Sequence, residues 1–385
     1  MKTVELDTMV AELHTTHGVE WPLAVDLYHT YTHIDLHDHF KRETRFVEER
    51  TLRSITKTTG TSSGSDNGLY VSKPSAFFQW SGQAWNNIER ALSQFSEHQR
   101  PIVQYIDLDS SNFEVDRQSA LEGRKLVYWR PKSWMSKESC LVAPEVSYEL
   151  NDKQFLSHLG IPTPAMEIIQ LAQPKQQDSG QGTFIVTTEE ARHQILDAMS
   201  RYVTRGGEEV QLSELARSKR PHYGVNFFVD DNETTEPEFL GATEQQGDLE
   251  RALGDTISAV AHTLRQSTYI GWVGIDVIFD HHDRPLVVDL NARMAGGIAL
   301  SLFSKHFLSL GLPLAQVDTV SFAGPASRIY DILSAKIESG QIIITLAMEI
   351  SDADSMALVV FGGQTRDYLT TTHQWIQDRL LTGLN

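Results

Sequence analysis

Four polar side chains of matching chemistry fall in two short stretches of the chain. Asp276 lies within GWVGIDVIFD, and Asp289, Asn291 and Arg293 alternate within VVDLNAR. Two carboxylates and a carboxamide offer the oxygen ligands that Mg²⁺ takes from proteins, and a guanidinium can hold a phosphate or carboxylate through two parallel hydrogen bonds. Together on one surface, these groups predict a site for magnesium and a phosphate-bearing ligand.

The elements that carry these residues are predicted to form an antiparallel hairpin, because residues 273–280 and 286–293 alternate in polarity. If Asp276 pairs with Asp289, the loop is 281–284 and Pro285 opens the second strand, a position that tolerates proline. A slip of one residue would bury unpaired charge among core side chains. The predicted register puts these apolar residues on the opposite face: Ile275, Val277, Phe279, Leu286, Val288 and Leu290. An ordinary solvated acidic face is the alternative interpretation.

Length and composition restrict the classes of function. The chain has 385 residues, enough for more than one core, and a formal charge of −18 without a basic block. Such a charge is poorly matched to nucleic acid or to an anionic membrane surface. Cys140 is the only cysteine, which excludes a disulfide within the chain. No apolar run is long enough to span a bilayer and the first residues do not resemble a secretory signal, so we expect a cytoplasmic protein.

The first 68 residues form a predicted N-terminal extension with a flexible stretch at 58–68, TTGTSSGSDNG. Within it lie four histidines, His29, His33, His37 and His39. On a helix the first three would share a face and could bind Zn²⁺ or Ni²⁺. The segment also contains β-branched residues and aspartates, which disfavour a helix, so a segment without a metal site is the alternative.

Strands and helices alternate after this extension, which predicts a parallel sheet over 69–148. Strands are expected at 69–71, 102–108, 126–129 and 140–143, with a helix over 81–95 whose apolar stripe ends at Phe95. Next, a helix is predicted from Asn151, as its N-cap, to Gly160, with Lys153 in its first turn.

The remaining segments predict mostly antiparallel structure. Strands at 168–171 and 183–186 flank the glycine loop 178–182, whose backbone amides could bind phosphate or could simply close a hairpin. Further strands are predicted at 209–212, 225–229, 239–242, 342–350 and 356–361. Helices are predicted at 249–264, 298–310 and 366–381.

The order of these motifs resembles the ATP-grasp superfamily over residues 70–310, most specifically in the D-x-N-x-R string with Asp276 upstream. The resemblance implies an α/β fold that is α+β in its catalytic half. It implies an N-terminal parallel-sheet pre-ATP-grasp domain (69–148) before an ATP-grasp fold. In that fold a small subdomain (149–212) and a large subdomain (213–310) sandwich the nucleotide, and 311–385 form a C-terminal appendage.

The resemblance also implies residue roles. Asp276, Asp289 and Asn291 would hold two Mg²⁺ ions, with Mn²⁺ as a substitute, and Arg293 would contact the transferring phosphoryl group. In two respects the chain departs from the family: Gln170 lies on the strand that usually carries a second lysine, which leaves Lys175 as the candidate, and Asp289 stands where Glu is more common. The implied ATP-binding residues are Lys153, Lys175, Ser179, Gly180, Gln181, Gly182, Thr183, Gln211, Leu212, Ser213 and Glu214, and the implied substrate-binding residues are Arg293, Gly296 and Gly297.

The implied function is an ATP-dependent ligase that activates a small carboxylate as an acyl phosphate and joins it to an amine. Its partners would be small molecules, without nucleic acid or membrane, and a homodimer is compatible with the resemblance. Three alternatives stay open: an ATP-grasp carboxylase or other acyl-phosphate enzyme, a metal-dependent hydrolase built on the histidine cluster, and a nucleotide-binding module without catalysis.

Overall fold

The structure is a computed structural model that describes residues 2–5, 16, 23–26, 90, 93–99, 115, 118–119, 122–128, 135–170, 189–190, 193, 209–213, 220–243, 249–293, 298–349 and 353–382. Several predictions fall outside these residues: the histidine cluster, the stretch 58–68, the strands at 69–71, 102–108 and 183–186, and the glycine loop. Lys175, Glu214, Gly296 and Gly297 are outside them too.

The candidate site is built on a four-stranded antiparallel sheet. Its strands are β5 (Tyr223–Val229), β6 (Glu238–Ala242), β7 (Gly271–Phe279) and β8 (Pro285–Asn291), in the spatial order β6-β5-β7-β8. Helix α2 (Leu249–Gln266) covers one face of this sheet. Its apolar side chains recur at helical spacing and are buried with the inner residues of the strands: Leu249, Leu253, Ile257, Val260 and Leu264. This core leaves the opposite face of the sheet for polar residues.

The predicted hairpin register is confirmed at the site: Asp276 pairs with Asp289, and Ile275 with Leu290. The prediction is wrong beyond that point, because a β-bulge follows Asp276 and pairs Val277 with Val287. Val287 is fully buried in the core under α2, whereas Leu286 lies opposite Ile278 on the other face. The loop consequently comprises five residues, 280–284, rather than four. An extra residue on one strand reverses the alternation of side chains after it.

The segment before the small sheet differs from its prediction. Helix α1 (Pro144–Leu150), which we did not predict, starts with a proline at its first turn, and Asn151 is its C-cap rather than the N-cap of the next helix. A 3₁₀ helix, Lys153–His158, follows and stops before Gly160, whose φ of 66° suits glycine. The side chain of Asn151 donates backward to the Ser147 carbonyl oxygen, so it is not available to cap the segment that follows.

Two further strands, β3 (Met166–Gln170) and β4 (Glu209–Ser213), form a separate antiparallel pair. The sequence predicts both strands but not their pairing with each other. In the N-terminal half, β1 (Leu23–Asp26) pairs in parallel with β2 (Lys125–Tyr128), and Leu126 makes a further parallel bridge to Cys140. The strand β1 has no counterpart in the sequence prediction. Phe95, predicted to end a helical stripe, instead forms an isolated parallel bridge with Val4 and is fully buried.

The C-terminal part is a three-stranded antiparallel sheet with helices against it. Its strands are β9 (Leu314–Ala323), β10 (Ile342–Glu349) and β11 (Asp354–Gly363), in the order β10-β11-β9, and its helices are α5 (Arg328–Ile332), α6 (Ser334–Glu338) and α7 (Arg366–Thr382). The single helix predicted at 298–310 is two short helices, α3 (Ile298–Leu302) and α4 (Ser304–Ser309), separated at Phe303. Phe303 is fully buried and packs against Phe95, and this burial accompanies the break. No helix in the described ranges is long and apolar enough to cross a membrane.

Candidate functional site

The predicted metal ligands come together on the face of the sheet opposite α2. Asp276 and Asp289 are direct cross-strand partners. Two residues further along the ladder, Asn291 pairs with Gly274. The Asn291 amide donates to the Asp289 carboxylate at 3.2 Å, and Arg293 Nη2 donates to Asn291 Oδ1 at 2.6 Å. All four side chains are half-buried. Since like charges directly opposite each other in a sheet repel, this pair of carboxylates favours a bound cation.

The neighbouring strand leaves room for the Asp276 side chain. Gly224 on β5 pairs with Asp276, and a Cβ at Gly224 would lie 3.5 Å from Asp276 Oδ1 and 3.2 Å from Thr243 Oγ1. The Gly224 amide donates to Thr243 Oγ1 at 2.7 Å. A methyl group at position 224 would therefore touch Asp276 Oδ1 at an ordinary contact distance and press on Thr243 Oγ1, which would have to shift.

Two aromatic residues are buried near the start of β7, Tyr269 in the core under α2 and Trp272 outside that core. Trp272 is 2% exposed, and its indole nitrogen donates to Asn226 Oδ1 at 3.2 Å. The Tyr269 hydroxyl donates to the Trp272 carbonyl oxygen. Burial raises the pKa of Tyr269, and the nearby charge of Arg293 opposes that rise only partly. Tyr269 therefore remains a neutral hydrogen-bond donor beside the guanidinium.

Two half-buried apolar residues occupy the opposite end of the same face. Ile278 and Leu286 pair across β7 and β8, next to the carboxylates. Sequence reasoning placed Leu286 in the core and so missed it, because a bulge has no signal in a pattern of alternating polarity. The face thus runs from the buried Trp272, past the carboxylates, to an apolar rim formed by Ile278 and Leu286.

The implied nucleotide-binding residues are only partly described. Lys153 starts the 3₁₀ helix, whose Phe155 and Leu156 are buried in the core shared with β8. Gln211, Leu212 and Ser213 lie on β4, where their backbones pair with β3. The other implied ATP-binding and substrate-binding residues are outside the described residues, namely Lys175, Ser179, Gly180, Gln181, Gly182, Thr183, Glu214, Gly296 and Gly297.

The donor set at this face consists of oxygen atoms. Within the described residues no three or more His, Cys, Asp and Glu side chains group around a common point, so the candidate set is two carboxylates and one carboxamide. Carboxylate and carbonyl oxygens suit Mg²⁺, Ca²⁺ or Mn²⁺, whereas Zn²⁺ prefers nitrogen and sulfur. The residues present therefore fit magnesium.

Comparison with known proteins adds the fold. No family model matches the sequence, and no curated protein matches it. An N5-carboxyaminoimidazole ribonucleotide synthetase solved with ADP matches with a TM-score of 0.50 and 10% identity, over 80% of this chain and 91% of that one.

Two other solved structures are similar at lower scores. Biotin carboxylase from Campylobacter jejuni matches with a TM-score of 0.48 and 11% identity, over 94% of this chain and 92% of that one. The L-amino acid ligase from Bacillus licheniformis matches with a TM-score of 0.45 and 10% identity, over 93% and 97%. At such identities a likeness establishes the fold alone. The chain has the ATP-grasp fold.

Proposed function

We propose that the protein is an ATP-dependent ligase that converts a small carboxylate to an acyl phosphate and transfers the acyl group to an amine. The observation that carries this proposal is the row on one sheet face: opposed Asp276 and Asp289, then Asn291, then Arg293. Phosphoryl transfer needs positioning and charge stabilisation more than covalent participation of the protein. A row of oxygen ligands ending in a guanidinium supplies both.

The metal would be held by Asp276, Asp289 and Asn291. When bound, Mg²⁺ neutralises charge on the phosphate oxygens of ATP. The chain's own contribution is to hold the three ligands on adjacent strands, so that little reorganisation is needed when the ligand arrives. The hydrogen bond from Asn291 to Asp289 fixes the relative orientation of two of them.

Arg293 would bind the phosphoryl group as it passes to the substrate carboxylate. Its bond to Asn291 places it one step beyond the metal ligands, and its side chain is half-buried. Half-burial strengthens the attraction between the guanidinium and a phosphate, because less water screens it than at an exposed position.

The apolar rim would contact the nucleobase. Ile278 and Leu286 offer a half-buried apolar surface beside the carboxylates, which suits the flat face of a purine. Lys153, the glycine loop and residues 211–214 complete the nucleotide site in this proposal. A cytoplasmic location and a homodimer remain predictions.

A carboxylase is the second candidate. The solved structure with a TM-score of 0.50 is an N5-carboxyaminoimidazole ribonucleotide synthetase, and the row of residues at the site would serve phosphorylation of any carboxylate, including bicarbonate. Bicarbonate-dependent ADP release that needs no organic acid would favour this candidate over the ligase.

The experiment that tests the proposal is ADP release from ATP and Mg²⁺ over a panel of paired acids and amines. We expect one acid to support release, and hydroxylamine in place of the amine to give a hydroxamate of that acid. Since hydroxylamine traps acyl phosphates, a panel that gives ADP release but no hydroxamate contradicts an acyl-phosphate route.

The metal assignment is tested by Asp289→Asn. We expect ADP release to fall by about a hundredfold or more, because the neutral amide removes a charged ligand, and Mn²⁺ binding measured by electron paramagnetic resonance to weaken. The melting temperature should not fall, because a like-charge pair is removed. Asp231→Asn is the control, since Asp231 is an exposed carboxylate just after β5. Wild-type turnover and Mn²⁺ affinity in Asp289→Asn would rule the assignment out.

A further inference from the structure

Asn151 connects two parts of the chain whose relative position matters to the proposed site. It follows α1 directly and lies two residues before Lys153. Its side-chain amide donates to the Ser147 carbonyl oxygen at 2.7 Å and to the Ala292 carbonyl oxygen, 141 residues away, at 3.3 Å. One carboxamide thus bonds the start of the 3₁₀ helix to the end of β8.

The acceptor on the β8 side lies between two residues of the site. Ala292 separates Asn291 from Arg293, and it follows the last residue of β8, where the ladder with β7 has ended. The bond from Asn151 therefore fixes the backbone at the point where the strand would otherwise be free to change direction. Moving Ala292 would move both the last metal ligand and the guanidinium.

A second hydrogen bond joins the same two segments. The Val287 amide donates to the Pro162 carbonyl oxygen at 3.0 Å, at the bulge near the start of β8. Residues 151–162 are consequently bonded to β8 near both of its ends. Between the two bonds, the 3₁₀ helix packs Phe155 and Leu156 into the shared core.

The oxygen atom of the Asn151 carboxamide lowers the stability of the fold. Asn151 Oδ1 is buried and accepts no hydrogen bond in the described part of the chain. The amide cannot be turned over to relieve this, because Oδ1 would then face two carbonyl oxygens. A buried acceptor without a donor destabilises a fold, so this oxygen offsets part of the stability that the two donated bonds contribute.

We propose that Asn151 is a positioning residue that sets the segment carrying Lys153 relative to Asn291 and Arg293. This inference rests on the proposed function. It differs from the family-derived roles, since Asn151 contacts neither nucleotide nor metal in it. The two bonds that its amide donates, to Ser147 and to Ala292, carry this role.

The test measures binding of Mg²⁺ with a non-hydrolysable ATP analogue by calorimetry, together with melting temperature, for Asn151→Asp and Asn151→Ala in the full chain. Asn151→Asp keeps the shape but removes both donors; Asn151→Ala removes the donors and the orphan oxygen. We expect about tenfold weaker binding in each. A tenfold change corresponds to the loss of roughly one charge-assisted contact between the displaced site and the phosphates. Because the orphan oxygen is removed with the donors, the melting temperature of Asn151→Ala should stay within about 3 °C of wild type.

Asn232→Ala is the matched control. Asn232 also makes two side-chain hydrogen bonds, to Thr234, but in an exposed turn away from β8. We expect its binding to equal that of wild type. Asn151 variants that bind as wild type does, or whose loss of affinity is accounted for by a loss of melting temperature, overturn the positioning role alone. A wild-type chain that binds no nucleotide overturns the proposed function as well.

Discussion

At the scale of single residues, the site depends on a position without a side chain as well as on the side chains that line it. Asp276 has room for its carboxylate because its cross-strand neighbour on β5 is Gly224. The φ angle of Gly224 is not in the left-handed region, so its backbone conformation does not require glycine. Glycine leaves space next to Thr243 Oγ1, which would lie 3.2 Å from a Cβ, and next to the Asp276 carboxylate, which would lie 3.5 Å from it.

Gly224→Ala should therefore impair the site with little effect on the fold. The added methyl group would lie 3.2 Å from Thr243 Oγ1 and 3.5 Å from Asp276 Oδ1. We expect Mg²⁺-dependent nucleotide binding to weaken by about fivefold, since small displacements of a ligating group are costly. Calorimetric titration of Mg²⁺ with an ATP analogue measures this.

Gly254→Ala provides the comparison. Gly254 lies within α2, and a Cβ there meets no atom within 4 Å. Alanine should stabilise that helix by about 0.5–1 kcal/mol and leave binding unchanged. If Gly224→Ala binds as well as Gly254→Ala does, position 224 does not need glycine for space.

At the scale of elements, the sequence predicts which strand residues pair better than it predicts where a strand departs from regular geometry. Alternating polarity placed Asp276 opposite Asp289, because burying either carboxylate in the core would be costly. The bulge that follows depends on how Val287 packs under α2, and nothing in the composition of VVDLN encodes it. The assignment of Asn151 failed for a similar reason: asparagine occurs at both ends of helices, and only its side-chain bond to the Ser147 carbonyl oxygen in the folded chain places it at the end of α1.

The turn between β7 and β8 is stabilised by one carboxylate. Asp280 accepts hydrogen bonds from the backbone amides of Arg284 and His282 at 2.9 and 2.8 Å, and from Arg284 Nε at 2.8 Å. The bond from the Arg284 amide is the main cause that lowers the pKa of Asp280 from 3.8 to about 2. The folded state thus favours the ionised form more than the unfolded state does.

Asp280→Asn should consequently lower stability in a pH-dependent way. A lowered pKa contributes stability that is present above the ordinary value near 3.8 and is lost as pH falls through about 2. We expect the urea midpoint of Asp280→Asn to lie below that of wild type at pH 7, and the difference to be smaller at pH 3. A difference that is constant over this range would contradict the role of the ionised carboxylate. Asp255→Asn, at an exposed position of α2, controls for charge alone.

At the scale of the whole molecule, residues early in the chain are bonded to the last sheet. Gln94 is 2% exposed, and its side chain donates to the Ile344 carbonyl oxygen at 2.9 Å and accepts from the Ile344 amide at 3.2 Å. Arg90 pairs with Asp331 at 2.9 Å and lies over the Tyr330 ring. The C-terminal sheet, Arg90 and residues 93–96 are therefore parts of one folded unit.

Gln94→Ala should destabilise the protein by about 2 kcal/mol, because it leaves two backbone groups of Ile344 without this partner inside the fold. Urea unfolding followed by circular dichroism measures the change. Gln266→Ala is the control, since Gln266 is exposed at the end of α2. In the described part of the chain, its side chain forms one hydrogen bond, to His262. We expect it to stay within about 0.5 kcal/mol of wild type. Equal stability of the two variants would show that Gln94 does not connect the two regions energetically.

The bond between Gln94 and Ile344 also orders events during synthesis. Gln94 leaves the ribosome 250 residues before Ile344, an interval of about 12 to 50 seconds at usual rates of translation. Val4 pairs with the chain on either side of Phe95, and the Lys2 amide donates to the Glu338 carbonyl oxygen. Lys2 and Gln94 therefore lack these partners until Glu338 and Ile344 have been synthesised. A nascent chain halted before residue 342 would therefore leave the Gln94 side chain without Ile344, its partner in the folded protein.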